Sequence, residues 1–169
     1  MSNTNSVPRD AWRFTGLKLW VLFLLRIAVG WHFLYEGFSK LLNPYWTSAG
    51  FLVESKGPLA GIFHSIAASP STLKVVDFLN TWGLIAIGLG LIVGFLSRWA
   101  AGAGILLIAL YYICNPPFPG LTYSAPQEGA YLFVNKNVVE LFALWVLILF
   151  PTSRTLGLDG LVFGKREHA

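Results

Sequence analysis

One long apolar stretch near the start of the chain, Leu17 to Leu42, most constrains what this protein can fold into. Its sequence is LKLWVLFLLRIAVGWHFLYEGFSKLL. A helix rises about 1.5 Å per residue, so this stretch is long enough to cross the roughly 30 Å of hydrocarbon in a bilayer. We therefore predict a transmembrane helix over residues 17–42.

The same stretch carries ionisable residues. Arg26 is near its middle, and His32, Glu36 and Lys40 follow at four-residue intervals, which places these three on one helical face. A charged group at membrane depth costs at least about 2.5–3.5 kcal/mol, so such groups need partners inside the protein. Charges snorkelling into the headgroups are an alternative that suits Lys40 best and His32 least.

Composition supports a membrane protein and excludes several other classes. Charged residues make up 12% of the chain and the mean hydropathy is +0.61, whereas soluble domains carry about 25% charged residues. The basic residues are scattered, which argues against nucleic-acid binding. Cys114 is the only cysteine, so an intramolecular disulfide, a dithiol redox pair and a thiolate zinc site are excluded. A bis-histidine haem needs two ligands at one depth, and only His32 among three histidines lies clearly in a helix, so we expect no haem. No flavin motif or metal site is evident in the sequence either. The polar first 14 residues do not resemble a signal peptide.

Three further apolar segments follow, over residues 78–96, 98–114 and 131–150. Prolines after the third and fourth segments stop the helices. The sequence therefore predicts an all-α, integral membrane four-helix bundle that forms a single domain over residues 1–169. We expect two short helices at the outer face in the first long connection, residues 43–77, which either lie at the interface or cap the bundle. Glycines in the second and third helices favour close packing of backbones in the bilayer.

The positions of the basic residues predict the topology. If the N-terminus is cytoplasmic, that side holds Arg9, Arg13, Lys18, Arg98, Arg154, Lys165 and Arg166, and the outer side holds Lys40, Lys56, Lys74 and Lys136. Because cytoplasmic loops are enriched in Lys and Arg, both termini are predicted to be cytoplasmic and both long loops to be outside.

Polar residues on the third and fourth helices are the candidate partners of the first helix. Asn137 and Glu140 are three residues apart and share a face. Counted from the helix ends, Glu140 and Arg26 have matching depths, so we predict an ion pair between them; its role is either functional or only to fix helix register. The third helix ends with Tyr111, Tyr112 and Asn115. Tyrosines at this position either belong to an aromatic belt at the membrane interface or bind a quinone ring.

Three stretches resemble the DoxX/DoxD family of membrane proteins. They are LLRIAVGWHFLYEGFSKLLNP, the glycine-rich second helix followed by GFLSRWAA, and NKNVVELFALWVL. The resemblance covers roughly residues 17–155. It implies a four-helix bundle in a bacterial or archaeal cytoplasmic membrane. Some members are the quinone-reducing subunit of thiosulfate:quinone oxidoreductase, which pairs with a smaller DoxA subunit that is absent from this chain.

Two functions follow as hypotheses. The first is a subunit of a quinone-linked oxidoreductase that acts on a sulfur compound such as thiosulfate at the outer face, with a separate small subunit as partner. In it, Arg26, His32, Glu36 and Glu140 are catalytic, Tyr111, Tyr112, Asn115 and Asn137 bind the quinone, and Lys40 and Lys136 attract the anionic substrate. The second is a non-catalytic anchor or assembly module in a larger membrane complex. Membrane lipid is a partner in both, and homo- and hetero-oligomers are both compatible with the sequence.

Overall fold

The computed structural model describes residues 16–124 and 132–163, and the chain is all-α in that part. The helices are α1 Gly16–Leu41, α2 Ala49–Val53, α3 Ala60–Ala68, α4 Pro70–Val93, α5 Ser97–Cys114, α6 Lys136–Leu149 and α7 Leu158–Val162, with a 3-10 turn at Thr152–Arg154 before α7. Three of them, α1, α4 and α5, are long and apolar enough to cross a membrane. The prediction of an all-α membrane protein is therefore confirmed.

Two helices differ from their predicted bounds. Helix α4 begins at Pro70 rather than Phe78, because proline fits the first turn of a helix and nothing between the two positions breaks it. It ends before Gly94, whose φ of +70° is left-handed. Helix α6 has 14 residues, or about 21 Å at the helical rise, which is shorter than a bilayer's hydrocarbon. Tyr131, its predicted start, lies outside the described residues.

The four longest helices pack side by side. Helix α1 packs most extensively on α4, α4 contacts α5, α5 contacts α6, and α6 returns to α1. Their shared core comprises Val29, Phe33, Leu84, Ile87, Leu91, Ala101, Ile108, Leu144 and Leu147. At Gly88 a Cβ would lie 2.6 Å from the backbone nitrogen of Leu34 and 2.8 Å from the carbonyl oxygen of Gly30. Glycine therefore allows α1 and α4 to approach at backbone distance, as small residues do in membranes.

One end of these helices, the hairpin end, is the turn Gly94–Leu96 between α4 and α5. The segment Thr152–Phe163, here called the C-terminal clasp, folds over it. The Asp159 carboxylate accepts the backbone N–H groups of Leu96 at 2.7 Å and Ser97 at 3.3 Å, and the backbone N–H of Asp159 donates to Gly94. A carboxylate at a helix N-terminus satisfies amides that have no partner within the helix. The clasp thus fixes the start of α5.

Arg26 also binds the C-terminal clasp. It is 2% exposed, and its guanidinium donates to the Thr152 hydroxyl at 3.1 Å and to the Leu156 carbonyl at 2.5 Å. The predicted Arg26–Glu140 ion pair is therefore wrong. The prediction treated the ends of the two helices as level, but Arg26 contacts residues that follow the end of α6, and Glu140 lies nearer the opposite end.

The opposite end, here called the loop end, is closed by the connection between α1 and α4, which holds the two predicted short helices α2 and α3. Ser55 Oγ donates to the Cys114 carbonyl at 2.7 Å, and the backbone N–H groups of Lys56 and Gly57 donate to the same oxygen. The Glu54 carboxylate accepts the Ser124 N–H, and hydrogen bonds from the side chain and the backbone of Ser124 lower the pKa of Glu54. The first long connection is therefore fixed to the end of α5, and Glu54 joins it to Ser124 in the second long connection.

Candidate functional site

A cavity of about 300 Å³ lies at the loop end, between α1, α4, α5 and α6. Its side chains are of three kinds: ionisable residues, apolar or aromatic residues, and small polar residues. They are His32, Phe33, Glu36, Lys40, Trp46, Thr47, Ser48, Phe51, Asn80, Leu84, Ile108, Tyr111, Lys136, Asn137 and Glu140. Ligand pockets in proteins commonly have about 300–1,000 Å³, apolar walls and a few convergent polar groups, so this cavity suits a small ligand.

A histidine–carboxylate pair joins α1 to α6 in the wall of the cavity. His32 Nδ1 on α1 lies 2.7 Å from Glu140 Oε1 on α6. The side chain of Glu140 is 13% exposed and that of His32 is 44% exposed, so the imidazole has the more open position. A carboxylate bound to Nδ1 orients the ring and leaves Nε2 as the nitrogen that can exchange a proton with a ligand.

A second ion pair lies one helical turn further along α1. Lys40 Nζ is 2.5 Å from Glu36 Oε2 and also donates to the Glu36 carbonyl oxygen at 3.2 Å. The same ammonium lies 5.7 Å from the centre of the Trp46 ring, within cation–π range. The residues at four-residue spacing on α1 thus form one pair within the helix, Glu36–Lys40, and one pair with α6, His32–Glu140.

Helices α4 and α5 contribute a tyrosine–amide pair. The Tyr111 hydroxyl donates to Asn80 Oδ1 at 2.6 Å, and the Tyr111 ring meets Phe51 edge to face at 5.7 Å. Phe33, Leu84 and Ile108 form an apolar floor that is buried in the helix core. An aromatic or ring-shaped ligand would find apolar contacts below it and hydrogen-bonding groups around its edge.

A roof closes the cavity at the loop end; we use this word for the segment Trp46–Phe51. The Asp77 carboxylate of α4 accepts bonds from Thr47 Oγ1 at 2.8 Å, from Ser48 N at 2.8 Å and from Ser48 Oγ at 2.5 Å. At the other side of the roof, Asn115 Nδ2 donates to the Phe51 carbonyl at 3.1 Å. The roof is therefore fastened to both α4 and α5.

The structure brings most of the predicted site residues together. His32, Glu36, Lys40, Tyr111, Lys136, Asn137 and Glu140 line the cavity. Arg26, Tyr112 and Asn115 do not. Arg26 belongs to the hairpin end. Tyr112 donates its hydroxyl to the Phe133 carbonyl, and Asn115 lies behind the roof.

Other residues that line the cavity or hold its roof were missed from the sequence. Asn80 and Asp77 were overlooked because α4 was expected to start at Phe78, which left them at a helix terminus or in a loop. A polar residue inside the longer α4 would have been a signal for Asn80. Trp46, Thr47 and Ser48 were assigned to a connection that either lies at the interface or caps the bundle, and nothing local to them indicated that they line a cavity.

The three span-length helices indicate a multi-pass membrane protein, and its cavity lies at the loop end. A family model for DoxX matches residues 21–114, more than half of the chain. The chain therefore belongs to the DoxX family. The match includes most of α1 and all of α2 to α5, and so every cavity residue except the three that α6 supplies. Comparisons with curated proteins and with solved structures found no match.

Proposed function

We propose that this chain is the quinone-binding membrane subunit of an oxidoreductase, and that the loop-end cavity holds the quinone ring. The observation that carries the proposal is the His32–Glu140 pair, at 2.7 Å, beside an apolar floor. Reduction of a quinone to a quinol needs protons at two ring oxygens. A histidine next to a carboxylate is suited to supply them near neutral pH.

In this proposal His32 transfers protons and Glu140 orients it. Glu140 accepts the Nδ1–H and stabilises the positive charge that forms on the ring, while Nε2 faces the quinone oxygen. Each turnover adds two electrons and two protons to the quinone. After each transfer to the quinone, His32 regains a proton by way of Glu36, the next carboxylate of the cavity. Asn137 and Tyr111 position the ring, and Asn80 holds the Tyr111 hydroxyl.

We also propose the membrane arrangement that this reaction needs. Helix α6 joins α1, α4 and α5 as the fourth helix of a transmembrane bundle in a bacterial or archaeal cytoplasmic membrane. Both termini are cytoplasmic, so the loop end and its cavity face outward. The contacts of α6 with α5 and α1 support the bundle, and the excess of basic residues on the other side supports the orientation.

The electron donor in this proposal is a sulfur compound such as thiosulfate, held with a separate small subunit at the outer face. Two thiosulfate ions that become joined through a new S–S bond release the two electrons that the quinone takes up. The family membership supports the membrane subunit, and the described parts of the outer connections, residues 43–69 and 115–124, offer a surface for the partner. Lys40 and Lys136 lie at the same end as this surface.

The test uses the protein purified in nanodiscs with its native partners. We expect a bound quinone on lipid extraction, and saturable binding of a short-chain benzoquinone that falls at least tenfold in Glu140→Gln. Tyr112→Phe is the matched control, since its hydroxyl contacts Phe133 outside the cavity. With partners present, thiosulfate-dependent quinone reduction should fall in the same variant. A stable complex without quinone or quinone binding would instead identify a non-catalytic anchor.

A further inference from the structure

The charges that line the cavity are balanced. Two carboxylates, Glu36 and Glu140, face two ammonium groups, Lys40 and Lys136, and His32 adds no charge when neutral. The formal charge of the lining is then zero. This balance is local, because the chain as a whole has a formal net charge of +4.

Lys40 and both carboxylates are also engaged in contacts within the lining. Lys40 contacts the Glu36 carboxylate, the Glu36 carbonyl oxygen and the Trp46 ring. Glu140 is bound to His32. An anion entering the cavity would have to draw Lys40 away from Glu36 while lying close to two carboxylates. Both effects oppose its entry, because like charges repel strongly where water is partly excluded.

We propose that the loop-end cavity excludes small anions and selects an uncharged ligand. The identity of that ligand as a quinone rests on the proposed function, but the exclusion of anions rests on the charge pairs alone. The consequence is that an anionic sulfur donor binds outside the cavity. Lys40 then has the role of balancing Glu36 rather than of holding a substrate.

The experiment changes the charge of the cavity and measures thiosulfate binding by calorimetry in nanodiscs at constant ionic strength. Wild-type protein should show no saturable binding of thiosulfate to the cavity. Glu36→Gln removes one negative charge without changing side-chain size and leaves Lys40 without a carboxylate. Thiosulfate should then bind at least tenfold more tightly than to the wild type. Glu54→Gln is the matched control, since this carboxylate lies at the same end but outside the cavity.

A second variant, Glu140→Gln, adds the same positive charge and should show the same gain, which covers the case in which Glu36→Gln is not obtained folded. Thiosulfate binding to the wild type that Lys40→Met abolishes would overturn the proposal, and so would the lack of a gain in both glutamine variants. A gain of thiosulfate binding in the glutamine variants, together with no benzoquinone binding by the wild type, would support anion exclusion and contradict the quinone function instead.

Discussion

Of the basic residues on α1, Glu140 is bound to His32 and not to Arg26, and this pairing determines what the site can do. Its carboxylate is bound to His32, whose imidazole can exchange a proton, and the Arg26 guanidinium is bound to the C-terminal clasp. A pair with Arg26 would have been a permanent ion pair with a structural role. The pair with His32 can gain and lose a proton and is open to a cavity.

Double-mutant cycles distinguish these pairings. Arg26→Ala and Glu140→Ala share no partner, so their losses of stability should add within about 0.5 kcal/mol. His32→Ala and Glu140→Ala remove the two sides of one contact, so their losses should be less than additive. Thermal or denaturant unfolding in detergent measures both cycles. Strong coupling between Arg26 and Glu140, with none between His32 and Glu140, would contradict the observed pairing.

Asp159 is predicted to make stability depend on acid pH. Burial acts to raise its pKa, but hydrogen bonds from Ser153, Leu96 and Ser97 hold the pKa below the ordinary value. Its contribution is therefore fully present above the unfolded pKa of about 3.9 and is lost as pH falls through the lower folded pKa. Asp159→Ala leaves the Leu96 and Ser97 amides without their acceptor, which costs about 1–3 kcal/mol.

Unfolding midpoints of wild type and Asp159→Ala, compared from pH 7 to pH 3, measure this effect. The difference should be largest at neutral pH and shrink at the acid end. Asp159→Asn keeps one acceptor oxygen and should lie between the two. A difference that stays constant, or grows, as the pH falls would contradict the role of the ionised carboxylate.

Among the structural elements, the roof has the most direct effect on the cavity. Its only helical residues are the first three of the short helix α2, and its position depends on bonds to α4 and to the end of α5 rather than on its own hydrogen bonds. Five-residue helices have little stability in isolation, so such external bonds decide where the segment lies. Asp77 supplies three of them from a single carboxylate.

Asp77→Ala is expected to loosen the roof and weaken binding of a short-chain benzoquinone by about tenfold, corresponding to about 1.4 kcal/mol. Asp77→Asn retains one acceptor and should restore part of the affinity. Glu54→Gln serves as control because Glu54 holds the other connection and does not line the cavity. An unchanged dissociation constant in Asp77→Ala would show that the roof does not contribute to the site.

On the scale of the whole molecule, the two ends have different roles. The C-terminal clasp closes the hairpin end, and the loop end contains the cavity. Large apolar side chains, such as Leu24, Trp31, Leu106 and Phe142, are exposed between the ends. These side chains give the helices the apolar surface that lipid requires.

Orientation in the membrane is tested by labelling in cells with Cys114 replaced by alanine. Ser124 and Thr155 are exposed and lie at the loop end and in the C-terminal clasp, respectively. An impermeant thiol reagent should label Ser124→Cys and leave Thr155→Cys unlabelled until the cells are opened. The reverse labelling would place the cavity on the cytoplasmic side.

The sequence predicted what depends on local pattern. The polar face of α1 follows from four-residue spacing, and the span-length helices follow from hydropathy. The contacts it did not predict join distant residues: Asp77 with Ser48, 29 positions apart, and Asp159 with Ser97, 62 positions apart. The partner of Glu140 was missed for the same reason. The distance of a residue from the end of its own helix does not show that the ends of α1 and α6 lie at different depths.

A structure determined with a bound short-chain benzoquinone tests the central claim most directly. We predict density for the ring in the loop-end cavity, above Phe33, with one quinone oxygen within hydrogen-bond distance of His32 and with the His32–Glu140 contact retained. The result that would contradict the claim is an unoccupied cavity at saturating quinone, or a ring bound elsewhere while His32 and Glu140 keep their positions.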